Sequence, residues 1–422
     1  MLLLTIFIDL WGYKMDIRIS PSRLCGNISV PSSKSCAHRA LICAALADGV
    51  SHIKSVSFSK DIEATINAMT ALGATFNIEK DTIIVHGISE IPIKADIDCN
   101  ESGSTLRFII PIAAALGVDT VFNGRGRLPE RPIDIYKREL SKNGIKFINE
   151  SMPYEITGYL KGGKYEIEGN VSSQFITGLL FALPLADEDS EIILTSHLES
   201  RPYVDITLDI LKRFGIKIDV TDNGFSIKGQ QMYSPYDENV EGDYSQAAFF
   251  YVANALGSAV NINNLIADSV QGDKKIIDII NYSCKNSEII GFEEDCSDIP
   301  DLVPILSVLG AYGNKESIIY NADRLRIKES DRLVACADML NSLGGNVTVT
   351  SDGLKIKPNG QLHGGEVDSY GDHRIVMAAA IAALGASEDV IIHGAEAAEK
   401  SYPDFFRDYN LLGGNANVIN LE

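Results

Sequence analysis

Residues 191–227 read EIILTSHLESRPYVDITLDILKRFGIKIDVTDNGFSI, and they hold one strand, one helix and one hairpin in succession. Residues 191–194 make a short apolar strand. Within 205–214, Ile206, Ile210, Leu211 and Phe214 fall on one face at helical spacing, which predicts an amphipathic helix opened near Asp205. Past Gly215 the period drops to two. Ile216, Ile218 and Val220 alternate with polar residues, Asn223-Gly224 offers a hairpin turn, and Phe225 and Ile227 return. An Ala/Leu-rich helix closing at Pro184 (PLAD) precedes the stretch, so the unit reads β-α-β-α-β-β.

That helix ending recurs as ALADG at Ala45, ALG at Ala115, ALG at Ala255, VLG at Val308 and ALG at Ala383. The copies stand roughly 70 residues apart, with one shorter step before Leu309, a period too long for a solenoid and right for a repeated subdomain. Strand-like segments follow each ending, at 52–56, 120–122, 191–194, 260–262, 317–320 and 390–392. Further second helices are expected after Asp61, Asp134 and Asp331, and Asp352-Gly353 is a further turn. Six units divide into three plus three. The expected fold is α/β (α+β), with two similar domains of three βαβαββ repeats, each set around a pseudo-threefold axis, and a cleft between them. Residues 15–30 precede the first copy and should pair with the last domain, so the chain crosses twice, near 31–34 and 241–245. Domain I then comprises 15–32 and 243–422, and domain II 33–242. The opening MLLLTIFIDLWGYK, residues 1–14, is apolar but too short to span a bilayer and lacks a basic start, so it reads as an extension.

The chain has 422 residues, 45% of them hydrophobic, enough for a large core. A formal charge of -20 argues against nucleic acid or an acidic membrane surface as partner, since broad cationic fields hold those. Seven cysteines without CxxC spacing read as reduced thiols of a cytoplasmic protein and as neither a disulfide framework nor a metal site. An anionic ligand must therefore find a local cluster of cations.

The starts of the Ala-rich helices supply one. They read SSKSCAHR (32–39), ESGSTLR (101–107), SSQFITG (172–178), DYSQAAF (243–249), DIPDLVP (298–304) and YGDHRIV (370–376). Unpaired N-H groups and the positive dipole end make such tips anion seats, although a serine there also serves simply as an N-cap. The arms after the short strands add Arg125, Arg127 and Arg131 in GRGRLPERP, Arg201 in ESRPY, residues 324–332 (RLRIKESDR), and Lys400 in AEKSYPD. Arginine grips carboxylate and phosphate with two bonds. Carboxylates lie among these cations, at Asp301, Glu329 and Asp372 beside His373, and a carboxylate so placed can act as a base. The residues by themselves describe a two-domain enzyme that joins small phosphorylated or carboxylated molecules by acid-base chemistry, without metal or cofactor.

Nine motifs in register, PSSKSCAHRALICAALADG, NESGSTLRF, RLPERPI, VSSQFITGLLFALPLA, ESRPYVDITL, IPDL, RIKESDRL, YGDHRIVMA and EKSYPDFF, resemble the EPSP synthase (3-phosphoshikimate 1-carboxyvinyltransferase) family from about Asp16 to the end. The resemblance implies transfer of the enolpyruvyl group of phosphoenolpyruvate to the 5-hydroxyl of shikimate 3-phosphate, with release of phosphate, on the way to aromatic amino acids. It implies that Lys34, Ser35 and Arg39 meet the shikimate moiety and that Ser172, Ser173 and Ser200 hold its phosphate. Gln174 falls between the ligands, and Arg324 and Lys328 join the shikimate side. Arg131 and Lys400, beside Gly103, become partners of the phosphoenolpyruvate phosphate, Arg332 and Arg374 of its carboxylate, and Lys34 reaches both ligands. Asp301 takes the hydroxyl proton, and Glu329, with Lys34 or Lys400, protonates the methylene carbon; His373 completes the catalytic set. Cys36, Ala37 and His38 are helix and core. Glu101 replaces an asparagine common in the family, and Phe108 follows Arg107 where some members have proline.

The sister family that uses UDP-N-acetylglucosamine carries a cysteine before an Arg-Pro pair in a mobile loop, and GRGRLPERP has none. An RNA-end-processing relative of similar architecture is opposed by the charge and by the lack of an aromatic-interleaved basic stripe. A non-catalytic relative is opposed by the joint presence of Asp301, Glu329, His373 and Lys400. A monomer is expected, because two domains with an internal cleft require no partner.

Overall fold

The computed structural model describes residues 14–285 and 288–421, so all but the last residue of the expected extension lies outside the described residues. Helices α1 (Lys34–Leu46), α2 (Lys60–Ala71), α3 (Gly103–Leu116), α4 (Asp134–Lys142), α5 (Ser173–Ala182) and α6 (Arg201–Arg213) belong to the first three repeats. Helices α7 (Tyr244–Ala255), α8 (Ile276–Ser283), α9 (Val303–Ala311), α10 (Arg332–Ser342), α11 (His373–Ala382) and α12 (Phe405–Leu411) belong to the last three.

Odd-numbered helices are the Ala/Leu-rich ones, apolar on every side, and a helix of that kind belongs inside. In α3 every residue from Thr105 through Ala115 is buried. Even-numbered helices show one apolar stripe. In α6 the buried set includes Val204, Ile206, Ile210 and Leu211, while Lys212 and Arg213 stay exposed in the last turn, where cations suit the dipole. This helix starts at Arg201, four residues before the expected Asp205, because Pro202 fits a first turn whose N-H groups have no partner anyway.

The strands obey one rule. Gly163–Ile167 runs parallel to Ser190–Leu194, which pairs antiparallel with Gly224–Ile227, and Ile218–Thr221 forms the edge. The second and fifth repeats build the same four-stranded order. Thr221 pairs with Gly224, so the hairpin loop is Asp222-Asn223, one residue earlier than expected. Close approach dictates the glycine instead: a Cβ at Gly224 would lie 1.8 Å from the Ile192 carbonyl oxygen, and one at Gly353 would lie 1.9 Å from that of Ile319.

Chain crossings complete the remaining sheets. Met15–Ser20 pairs antiparallel with both Val390–His393 and Asn415–Leu421, filling the slot left by a last repeat that lacks its final strand. Glu238–Asn239 returns parallel to Val50–Lys54 of the first repeat. The fourth repeat keeps Cys25–Ile28 parallel to Ala259–Ile262, and its hairpin shrinks to Cys284–Lys285 and Glu288–Ile289, which accounts for the short step in the sequence. The two crossings run side by side. Ser32 bridges Gly242, Ser33 N donates to Glu241 O at 2.7 Å, and Asp243 N donates to Pro31 O at 2.9 Å.

Side chains gather into two hydrophobic cores, one drawn from residues between Cys36 and Val240, the other joining Ile17, Ile19, Leu24, Ile28 and Val30 to residues from Ala247 onward. This is the two-domain, repeat-built fold expected. All seven cysteines are free thiols, and among the described residues no helix is long and apolar enough to cross a membrane.

Candidate active site

Five of the six buried-helix starts converge on one cleft between the cores, which encloses about 920 Å³ of atom-free space, part of it open to solvent. Ser33, Ser102, Ser172 and Asp372 cap these helices by accepting from the N-H of Cys36, Thr105, Gln174 and Arg374. The cap and the anion seat therefore coexist. Ser33 closes the helix, and Lys34 and Ser35, one step on, line the cleft, while Cys36, Ala37 and His38 are buried.

Of the residues expected at the site, Lys34, Ser35, Arg39, Gly103, Arg131, Ser172, Ser173, Gln174, Ser200, Asp301, Arg324, Lys328, Glu329, Arg332, His373 and Arg374 all line this cleft. Lys400 does not. Its Nζ donates to Glu101 Oε2 at 2.6 Å and to the Gly371 carbonyl, so the glutamate that departs from the family pattern holds it at the rim. Arg127 and Arg201 also stay outside, paired with Glu130 and Asp205 on the surface. Such exposed pairs contribute little.

The cations are fixed in place before any ligand is considered. Arg39 is buried, donating from Nε to Thr207 Oγ1 at 2.8 Å and from its two amino groups to the Ser35 and Tyr203 carbonyls. Arg107 donates to Gln174 Oε1 at 2.7 Å, and Gln174 Nε2 donates to Ser104 Oγ at 2.9 Å, so the glutamine amide is oriented from both ends. Arg324 is tied to Glu199 Oε2 at 3.1 Å and to the Ser297 carbonyl across the two cores.

Arg332 is the hub. Only 2% of its side chain is exposed, and it meets three carboxylates: Asp372 Oδ2 at 2.7 Å, Asp301 Oδ1 at 3.0 Å and Glu329 Oε2 at 2.6 Å. Arg374 adds a second clamp on Asp301 Oδ2 at 2.7 Å. Burial works against ionisation of Asp301, but Arg374 and then Arg332 overcome it and hold the carboxyl far below its usual range. Glu329 is likewise held well below its usual value, Arg332 and Arg131 outweighing burial. The Lys328 ammonium is pulled down to about 8 by burial, with Asp301 and Glu329 opposing. Among the described residues neither ring nitrogen of His373 has a hydrogen-bond partner, Nδ1 standing 4.0 Å from Asp372 Oδ1, and burial, then Lys34 and Arg374, hold it neutral.

Sequence reading missed Asp61, which accepts from Lys34 Nζ at 2.8 Å, and it missed Ser104 and Tyr203. Tyr203 stands in ESRPY with no neighbour in sequence to mark it. Arg107 and Phe108 were noted only as a departure from the pattern, yet both line the cleft, and Arg39 lies over the Phe108 ring at 5.2 Å.

A cleft ringed by arginines that also holds half-buried, ionised carboxylates can bind acidic small molecules and move protons among them. Comparison with known proteins narrows the class. The family model for EPSP synthase (3-phosphoshikimate 1-carboxyvinyltransferase) matches residues 19–409. The chain is 46% identical to 3-phosphoshikimate 1-carboxyvinyltransferase of Clostridium novyi, over 94% of this chain and 98% of that protein. It is 45% identical to the protein of that name from Clostridium perfringens, with the same coverage. Among solved structures, EPSP synthase from Acinetobacter baumannii superposes with a TM-score of 0.82 at 25% identity, covering 96% of this chain and all of that one. Agreement over nearly the whole of both chains, in sequence and in backbone, leaves one placement: the chain belongs to the EPSP synthase family.

Proposed function

We propose that the cleft transfers the enolpyruvyl group of phosphoenolpyruvate to the 5-hydroxyl of shikimate 3-phosphate, giving 5-enolpyruvylshikimate 3-phosphate and phosphate. The carrying observation is the Arg332 hub, which places Asp301 and Glu329 on one guanidinium beside Arg374. Ser172, Ser173, Ser200, Arg324 and Lys328 receive shikimate 3-phosphate, with Ser35 and Arg39 against its ring. Arg131 and Lys34 receive the phosphate of phosphoenolpyruvate, and Arg332 and Arg374 its carboxylate. Gln174 lies between the two.

The chemistry follows from competition for the arginines. Protonation of phosphoenolpyruvate at C3 makes C2 electrophilic, the hydroxyl adds there, and the tetrahedral adduct expels phosphate when C3 loses a proton. A substrate carboxylate on Arg332 and a substrate phosphate on Arg131 draw off the cations that keep Glu329 acidic, and its carboxyl moves toward a value at which it can carry a proton. Asp301, also released in part, gains basicity toward the 5-hydroxyl. His373, neutral, offers a hydrogen bond without adding charge. The fixed cations meet charge as it develops.

Steady-state phosphate release from shikimate 3-phosphate plus phosphoenolpyruvate tests this reading, with UDP-N-acetylglucosamine as alternative acceptor. Turnover is expected with the shikimate substrate and not with the sugar nucleotide, since residues 124–132 contain no cysteine. No turnover with the shikimate substrate would end it.

Two substitutions probe the phosphoenolpyruvate side. A Cβ added at Gly103 would stand 2.5 Å from Arg131 Cζ, so Gly103→Ala must push the guanidinium aside. Loss of one charge-assisted contact, about 1.5–3 kcal/mol, should raise KM for phosphoenolpyruvate about tenfold or more and leave kcat within about threefold. Glu101→Asn restores the family residue and frees Lys400 for the same phosphate. KM for phosphoenolpyruvate should then fall by about two- to fivefold, the size of a partly exposed ion pair. An unchanged KM would leave Lys400 a surface residue.

The separate cores support a domain I of 15–32 and 243–422 and a domain II of 33–242. The free thiols support a reducing, cytoplasmic setting, and a site built within one chain supports a monomer.

A further inference from the structure

We propose that the proton drawn from the substrate hydroxyl comes to rest on Asp273, relayed from Asp301 through the phenol of Tyr203. The inference rests on the reading above that Asp301 takes that proton. Tyr203 Oη lies 3.0 Å from Asp273 Oδ2 and 3.2 Å from Asp301 Oδ2. A phenol has one proton to give. With both carboxylates ionised, one of them would face the phenol oxygen lone pair to lone pair, so the three groups together have a place for one more proton.

The two carboxylates have opposite surroundings. Asp301 sits between the guanidinium groups of Arg332 and Arg374. Asp273, in the short turn Gly272–Lys275, is 5% exposed, and its Oδ1 has no hydrogen-bond partner among the described residues. Burial without a cation of its own favours the protonated acid. The groups facing it are Tyr203 from α6, Asp243 before α7, Asp301 before α9 and Arg374 from α11. Burial, Asp301 and Asp243 raise its carboxyl to about 7, with Arg374 and the phenol opposing. Asp243 is itself engaged, accepting from the N-H groups of Lys34 and Ser245.

In the step, the bond between the 5-oxygen and C2 forms as the O-H bond breaks, and its electron pair stays on oxygen. The proton passes to Asp301. Asp301 gives a proton to the phenol oxygen as the phenol gives its own to Asp273, and Asp301 is again a carboxylate between its arginines. The weaker base thus touches the substrate and the stronger one stores the proton. Overall the reaction returns that proton to the phosphate released, which resets Asp273.

Asp273 must be ionised to receive, so kcat of the unmodified enzyme should rise with pH around a midpoint near 7. Asp273→Asn keeps the shape and removes the acceptor. It should lower kcat by about a hundredfold and abolish the rise near pH 7, while shikimate 3-phosphate binds within about threefold by calorimetry. Tyr203→Phe cuts the chain and leaves both carboxylates, and it should reproduce both changes; if Asp273→Asn fails to bind, Tyr203→Phe decides by the same readouts. Unmodified kcat and pH profile in these variants, with Asp301→Asn still inactive, would overturn the relay and leave the proposed function standing. Full activity in Asp301→Asn as well would instead remove the base on which the relay depends.

Discussion

Replacing Asp301 by asparagine should lower kcat by at least about a hundredfold, because the variant loses the group that takes the hydroxyl proton. Asparagine keeps the shape, accepts from one arginine and carries no charge. Arg332 and Arg374, now short of one carboxylate, should hold the substrate's carboxylate more tightly. KM for phosphoenolpyruvate is therefore expected to fall while kcat falls, the signature of a group that competes with substrate in the ground state and works in the transition state. The loss should grow from neutral to alkaline pH only as far as the unmodified enzyme gains activity near pH 7, since Asp301 itself is held far below its usual range and stays ionised throughout. Steady-state phosphate release against both substrates measures all three outcomes. A kcat near that of the unmodified enzyme would remove Asp301 as the base.

The repeat was legible because one device, an Ala/Leu helix ending at a short strand, returns six times, and the strand left over at the start of the chain had an unfilled slot at its end. Val390–His393 supplies that slot for Met15–Ser20. The hairpin slipped by one residue because steric contact with Ile192, and not turn chemistry, decides where Gly224 sits. Cations and hydroxyls at the helix starts were legible for the same reason as the repeat: they occupy one place in it. Their division between two substrates came from the nine family motifs.

What sequence could not show were groups whose meaning lies in distant partners. Tyr203 acquires a role only by standing between Asp273 and Asp301, 70 and 98 positions away. Lys400 was placed in the cleft by its motif, and the residue that holds it at the rim, Glu101, is 299 positions away. Asp61 caps the reach of Lys34 in the same fashion, from the next helix.

Arg332→Met should be the most destabilising change at the site. It removes one buried guanidinium and leaves three carboxylates short of a partner, and breaking a buried pair from one side costs about 3–5 kcal/mol. Part of the charge stays compensated, since Arg374 still holds Asp301, and Ser330 and the Arg374 N-H still donate to Asp372 at 3.0 Å. Glu329 keeps Arg131, at 4.0 Å, and the nearby charge of Lys328. The pH dependence has a definite sign. With Arg332 present, the carboxyls of Asp301 and Glu329 lie below their unfolded values, so their contribution is complete above about pH 4 and is lost as pH falls through the folded values. With methionine, burial persists and the main attraction is gone, so the Glu329 carboxyl moves up and its ionised form becomes a cost at neutral pH that protonation relieves. The difference in unfolding free energy between the two proteins should therefore be largest near pH 7 and shrink toward about pH 4. Arg332→Lys should fall between them, because an ammonium restores one charge but cannot fork to three acceptors. Urea unfolding at several pH values checks the order. A difference below about 1 kcal/mol at pH 7, or one that grows on acidification, would mean that the hub holds its carboxylates for chemistry alone and contributes nothing to the fold.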